Sequence, residues 1–148
     1  MNNQKSAIIN HKSAILVLLL CGCGRSGPAL VPVEGTITRN GGEWPARGTL
    51  AFEPLEVAAG APRLYGMAEF EPDGRFAVTS FRPADGLAPG RYKVTVESWA
   101  EWPTETSPGK GNHVPPAYRD AATTPLEVTV PAGQRRVKVE WDVAGGEL

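Results

Sequence analysis

The chain has 148 residues, with 15 basic and 16 acidic side chains and a formal net charge of −1. A near-neutral charge argues against the basic patch or stripe of nucleic-acid-binding proteins, so no nucleic-acid partner is expected. The 17 glycines and 14 prolines stand between apolar runs, as turn residues do, which argues against a helical bundle and favours a single domain rich in turns.

Residues 1–22 have the composition of a secretory signal peptide. Lys5 and Lys12 precede the apolar run 14–20, and no acidic residue occurs before Glu34. A positive start followed by a short apolar run is typical of such signals. Seven apolar residues cover roughly 10 Å as a helix, which is far short of the ~30 Å hydrocarbon core of a bilayer. The segment therefore does not indicate a transmembrane helix.

The run Leu20-Cys21-Gly22-Cys23 resembles the lipobox of bacterial lipoproteins, in which cleavage precedes a cysteine that becomes lipid-modified. Cys23 fits that position better than Cys21, because a small residue, Gly22, comes directly before it. The resemblance implies a bacterial envelope protein, periplasmic or surface-facing, that is attached to the membrane through acyl chains on Cys23. An ordinary cleaved signal with two incidental cysteines is the alternative.

Residues 23–30 are expected to form a short tether to the folded domain. The seven residues after Cys23, numbers 24–30, span at most ~25 Å when fully extended, which would hold the domain close to the bilayer. If Cys23 carries lipid, no other thiol remains for a disulfide or a zinc site. No metal and no cofactor are predicted.

From residue 31 onward the apolar residues alternate with polar ones, which is the period of a β-strand with one buried face. Seven such strands with one apolar face each are expected to pack as two antiparallel sheets. The sequence therefore predicts a seven-stranded antiparallel β-sandwich over residues 31–143, followed by a tail of residues 144–148. The predicted strands are 31–38, 48–53, 64–70, 75–81, 90–99, 126–130 and 136–143.

Two turns between these strands have strong sequence signals. Asn40-Gly41-Gly42 follows the first strand, and these residue types tolerate the positive φ angles of tight turns. Asp73-Gly74 separates two alternating segments and predicts a hairpin between the third and fourth strands.

Five segments of the predicted sandwich form a recognisable combination of motifs: Val33–Thr38, Ala68–Phe76, Gly86–Val94, Pro116–Asp120 and Thr123–Val130. In combination they resemble the carboxypeptidase regulatory-like, transthyretin-like sandwich domain, especially the small single-domain lipoproteins of planctomycete-type bacteria. One departure is Glu71, where the pattern usually has an aspartate. The resemblance implies an accessory, scaffold or binding module, and sharing a sandwich does not transfer an activity.

The sequence does not supply the residues of enzymes that use related sandwiches. The site of a purine-breakdown hydrolase of this type needs clustered histidines, and intradiol dioxygenases need two histidines and two tyrosines for iron. Only His113 lies outside the predicted signal. The chain is therefore predicted not to be an enzyme, with a hydrolase of unrecognised type that uses His113 left open. Asp73 and Asp85 are interpreted as turn residues rather than as calcium ligands.

The long segment from Ala100 to Thr124 is the main candidate for a ligand surface. Trp99, Trp102 and Tyr118 lie in or beside it, and Trp44 is a further candidate near the first turn. Aromatic faces stack on sugars and prolines, so an envelope glycan or protein is a conceivable partner. The leading hypothesis is a lipid-anchored, non-enzymatic sandwich with a structural or weak-recognition role. The alternative is a carbohydrate-binding module that uses the loop tryptophans.

Overall fold

The computed structural model describes residues 29–144, which form eight strands and one short 3-10 turn. The predicted signal 1–22, Cys23, most of the tether and the tail beyond Ala144 lie outside the described residues. The strands are β1 (Val33–Arg39), β2 (Gly48–Val57), β3 (Gly66–Phe70), β4 (Arg75–Ala77), β5 (Gly90–Glu101), β6 (Lys110–Asn112), β7 (Glu127–Val130) and β8 (Val137–Val143), and the 3-10 turn is Pro116–Tyr118.

The strands form two sheets, which confirms the predicted all-β architecture. One sheet has the order β4-β1-β8, and the other has the order β3-β2-β5-β6. The long strand β5 pairs with β7 along its first residues and with β6 along its last. The described residues thus contain eight strands where the sequence predicted seven, because β6 is a three-residue strand within the long loop.

One strand pairing departs from the predicted antiparallel arrangement. β1 and β8 are parallel over seven register pairs, from Val33 with Val137 to Arg39 with Val143. Apolar and polar residues alternate in the same way along parallel and antiparallel strands. The pattern therefore predicts which face of the sheet a residue occupies, but not the direction in which the adjacent strand runs. The first and last strands of the fold therefore lie side by side and run the same way.

Both segments with strong turn signals form tight turns, but each turn connects two strands that belong to different sheets. Asn40 and Gly41 have φ angles of 52° and 71°, and Arg39 and Gly42 exchange two backbone hydrogen bonds of 3.0 Å. The Asp73-Gly74 turn is closed by the Gly74 amide donating to Glu71 O at 2.7 Å. The hairpin predicted at Asp73-Gly74 forms in part: Met67 and Thr79 make an antiparallel bridge across it, whereas β4 itself pairs with β1 and not with β3.

The core lies between the two sheets and is built from the buried face of each strand. Phe76 of β4 and Trp141 of β8 stack with ring centroids 5.8 Å apart and planes 8° apart. Both strands flank β1 at Gly35, where an added Cβ would overlap the backbone of Val139. Because glycine has no Cβ, β8 can approach β1 closely enough at this position to complete the β4-β1-β8 sheet.

The register of the strands gives the sandwich two distinct ends. At one, the tether end, Val31 bridges Leu87 and the strand β5 begins at Gly90. At the other, the far end, lie the Asn40 turn and the pair formed by Gly48 and Ser98. At about 3.3 Å per residue, the twelve residues of β5 run roughly 36 Å between the ends.

Candidate functional site

The aromatic residues that the sequence singled out do not meet on one surface. Trp44 is only 3 % exposed and belongs to the core. Its indole Nε1 donates to the carbonyl of Ile37 at 2.8 Å, and its ring lies 5.0 Å from that of Phe70. Trp44 therefore anchors the far end of the sandwich and does not contribute to an exposed ligand surface, which corrects the expectation stated for it.

Trp99 and Tyr118 are both half-buried. Trp99 lies on β5 opposite Asn112 of β6. Its Nε1 is buried without a hydrogen-bond partner among residues 29–144, as are Asn112 Nδ2 and His113 Nδ1. Tyr118, in the 3-10 turn, packs against the core. Both rings are thus engaged with the protein on at least one face.

The segment 100–124 has an ordered path of its own. After β5 it turns at the bridge between Thr104 and Ser107 and returns as β6, antiparallel to β5. His113 follows β6, and its amide donates to Ser98 O at 2.8 Å. The segment ends at Thr124, whose buried hydroxyl donates to Val94 O at 2.7 Å. Half of this loop is therefore an additional hairpin at the far end of the sandwich.

Trp102 lines a surface depression of about 170 Å³ at the far end. Its walls come from the start of β2 and the end of β3, which the antiparallel register brings next to the end of β5. Ligand pockets for whole small molecules usually measure about 300–1,000 Å³, so this depression suits one ring of a larger ligand. The other lining residues are Arg47, Gly48, Thr49, Glu69, Phe70 and Glu71.

The depression contains three charged side chains, Arg47, Glu69 and Glu71, and none of them takes part in an ion pair among residues 29–144. Two carboxylates and one guanidinium give the depression a net negative charge and leave donors and acceptors available to a ligand. Ser98 fixes the backbone beneath it, since its hydroxyl lies 3.3 Å from Ala46 O and 3.2 Å from Arg47 O.

A broader depression of about 350 Å³ lies on the outer face of the β4-β1-β8 sheet. Its central carboxylate, Glu34, is already paired with Arg136 at 3.0 Å and with Lys138 at 3.9 Å. Such mutually paired surface charges are typical of a solvated sheet face. The smaller depression at Trp102 combines a tryptophan with unpaired charges and is therefore the better candidate site.

The aspartates interpreted as turn residues do accept backbone hydrogen bonds in turns. The Asp85 carboxylate accepts the amides of Ser80, Phe81 and Arg82 at 2.7–3.0 Å. Partial burial raises the pKa of Asp85, but these amide donors outweigh burial and hold the pKa below its ordinary value. Asp73 similarly accepts the amide of Arg75 at 3.1 Å. Within residues 29–144, no group of three or more His, Cys, Asp or Glu is placed to hold a metal ion.

Of the residues in the depression, the sequence indicated only Trp102. Thr49 and Glu69 occupy outward positions of the alternating strands, but nothing in the sequence showed that these strands are neighbours.

Across residues 29–144, the structure contains no helix with the length and apolar character needed to cross a membrane. In comparisons with known proteins, the chain matches no family model, no curated protein and no solved structure.

Proposed function

We propose that the chain is a lipid-anchored, non-enzymatic β-sandwich of the bacterial envelope, of the transthyretin-like type, with a structural or weak-recognition role. The observation that carries this proposal is the short apolar run that ends in Leu20-Cys21-Gly22-Cys23. The folded chain follows closely, since Val31 already bridges Leu87. Acyl chains on Cys23 would give durable attachment, because two or more chains hold a protein where one holds it only marginally.

Replacing Cys23 with alanine is expected to release the protein from the membrane fraction. Cys21→Ala is the matched control, because Cys21 lies within the segment that cleavage removes and its loss leaves the lipidated residue unchanged. The measurement is fractionation of cells that express each variant, together with the mass of the mature N-terminal peptide. Retention of the Cys23→Ala protein in the membrane fraction would reject the anchor.

A second candidate function, carbohydrate binding, is favoured by the depression at Trp102. The indole offers an apolar face on which a pyranose ring can stack. The carboxylates can accept hydrogen bonds from the sugar hydroxyl groups, and the guanidinium can donate hydrogen bonds to them. Glu69 and Glu71 outnumber Arg47, so the site favours neutral or amino sugars over acidic ones. A depression of this size suits one sugar unit within a longer envelope glycan.

Trp102→Ala is expected to weaken binding of an envelope oligosaccharide at least tenfold, because it removes the stacking face. For a site that holds one ring, a Kd on the order of 1 mM is expected, which corresponds to about 4 kcal/mol. Heteronuclear NMR titration with N-acetylglucosamine-containing oligosaccharides measures this range. Trp99→Phe is the matched control, since Trp99 does not line the depression and the variant is expected to bind normally. Equal affinity of the Trp102→Ala protein would exclude this site.

A further inference from the structure

Four large apolar side chains are exposed on the described surface. They are Leu55, Tyr65, Met67 and Phe81, with exposed fractions of 39 %, 62 %, 59 % and 61 %. Single exposed apolar residues are common, whereas a group of them on one side of a protein marks an interaction surface. We refer to these four residues as the docking patch.

The backbone register brings the members of the docking patch together. Met67 and Thr79 form an antiparallel bridge with backbone hydrogen bonds of 2.9 and 2.8 Å. Tyr65 precedes Met67 by two residues and Phe81 follows Thr79 by two, so in this antiparallel arrangement both lie beyond the bridge in the same direction along the chain segments. Leu55 lies on β2, the strand that pairs with β3, and the Arg63 guanidinium donates to the carbonyls of Pro54 and Leu55.

The docking patch lies toward the tether end of the sandwich. Phe81 belongs to the turn 80–86, in which Ser80 Oγ donates to Gly86 O at 2.7 Å. The next residue, Leu87, exchanges backbone hydrogen bonds of 2.8 and 3.0 Å with Val31. Leu55 lies between Pro54 and Glu56, which pair with Tyr92 and Arg91 near the start of β5. The patch and the point where the tether enters are therefore neighbours.

Two arginines stand beside the docking patch, and among the ion pairs of residues 29–144 neither Arg63 nor Arg82 has a carboxylate partner. Of the nearby acids, Glu56 pairs with Arg91 at 3.3 Å and Asp85 accepts three amides, while Glu53, two residues before Leu55, has no ion-pair partner among residues 29–144. Exposed aromatic and apolar side chains flanked by arginines without a carboxylate partner complement the apolar boundary and the anionic headgroups of a membrane surface.

We infer that the docking patch rests on the membrane surface beside the lipid of Cys23 and forms a second, peripheral membrane contact. This inference relies on the proposed anchor, because the short tether is what keeps the patch within reach of the bilayer. The chain between Cys23 and Val31 spans at most ~28 Å. The patch would seat Tyr65 and Phe81 among the headgroups, with Arg63 and Arg82 against anionic lipid.

The test places an environment-sensitive dye on the lipidated full-length chain in vesicles of phosphatidylethanolamine and phosphatidylglycerol. Met67→Cys carries the dye in the patch, and Glu105→Cys carries it at the exposed far end as the matched control. Nitroxide-labelled lipids are expected to quench the dye at position 67 at least threefold more strongly than the dye at position 105. Replacing both Tyr65 and Phe81 with serine is expected to remove this difference while the protein still floats with the vesicles.

The outcomes separate the docking contact from the anchor. A protein that fails to float with the vesicles overturns the anchor and, with it, the contact. A protein that floats while both dyes are quenched equally overturns the contact alone. A blue-shifted dye at position 67 without quenching also overturns it, because the patch is then covered by protein, such as a second copy of the chain. Circular dichroism of each variant checks that the fold is retained.

Discussion

Gly74→Ala is expected to destabilise the fold by about 4 kcal/mol or more, which is a large fraction of the roughly 5–15 kcal/mol by which native domains are stable. Gly74 has a φ of 74°, where an L-residue costs about 1–2 kcal/mol. In addition, an added Cβ would overlap the carbonyl oxygen of Ile37, a backbone atom that cannot rotate away. The Ile37 amide also donates to Gly74 O at 2.9 Å, so the turn and β1 cannot separate without losing that bond.

Gly133→Ala is the matched control for this prediction. Gly133 has a nearly identical φ of 77°, but no atom lies within 4 Å of the position that its Cβ would take. Only the conformational cost applies there, so a loss of about 1–2 kcal/mol is expected. Urea unfolding followed by circular dichroism measures both variants. Similar losses in the two proteins would mean that the contact with Ile37 does not restrict residue 74.

Trp44→Ala is expected to lower the free energy of unfolding by about 4 kcal/mol. Removal of a buried tryptophan loses its transfer free energy and leaves a cavity. The variant also removes the donor to Ile37 O and the ring packed on Phe70, and a buried carbonyl without a partner costs a further ~1–3 kcal/mol if it stays dry.

The same substitution at Trp102 provides the comparison for Trp44. Trp102 is half-buried at the rim of a depression, so Trp102→Ala is expected to cost about 1 kcal/mol or less. Thermal unfolding monitored by calorimetry distinguishes the two variants. If Trp102→Ala were as destabilising as Trp44→Ala, Trp102 would be part of the core and not a surface available to ligand.

The alternation of the sequence was sufficient to predict which residues of the central strands are buried. Tyr92, Val94 and Val96 of β5 are fully buried, while Glu97 and Arg91 are exposed. Alternation carries no information about which strands are neighbours. Alternation therefore did not reveal that β8 runs parallel to β1, or that β4 pairs with β1 in the other sheet. β6 was missed because Lys110-Gly111-Asn112 contains no apolar residue from which to read a period.

The candidate site was predictable only where a single residue type is distinctive. Tryptophans are rare enough to be noticed in a sequence, and one of the three proposed tryptophans, Trp102, lines the depression. Trp44 could not be distinguished from it, because the sequence around it has no periodicity that reveals burial. Arg47 and Glu71 are ordinary turn-flanking charges, and only the three-dimensional register brings them beside Trp102.

The parallel pairing of β1 with β8 has a mechanical consequence for a domain held at its N-terminus. β1 begins at the tether end, whereas β8 ends at the far end, where Val143 O accepts the Asn40 amide at 3.1 Å. A pull between the two termini would therefore slide the two strands past each other along their length. All the hydrogen bonds of the ladder would then resist the force together, whereas peeling would break them one at a time. The first and last strands would act as a shear-resistant clamp under tension.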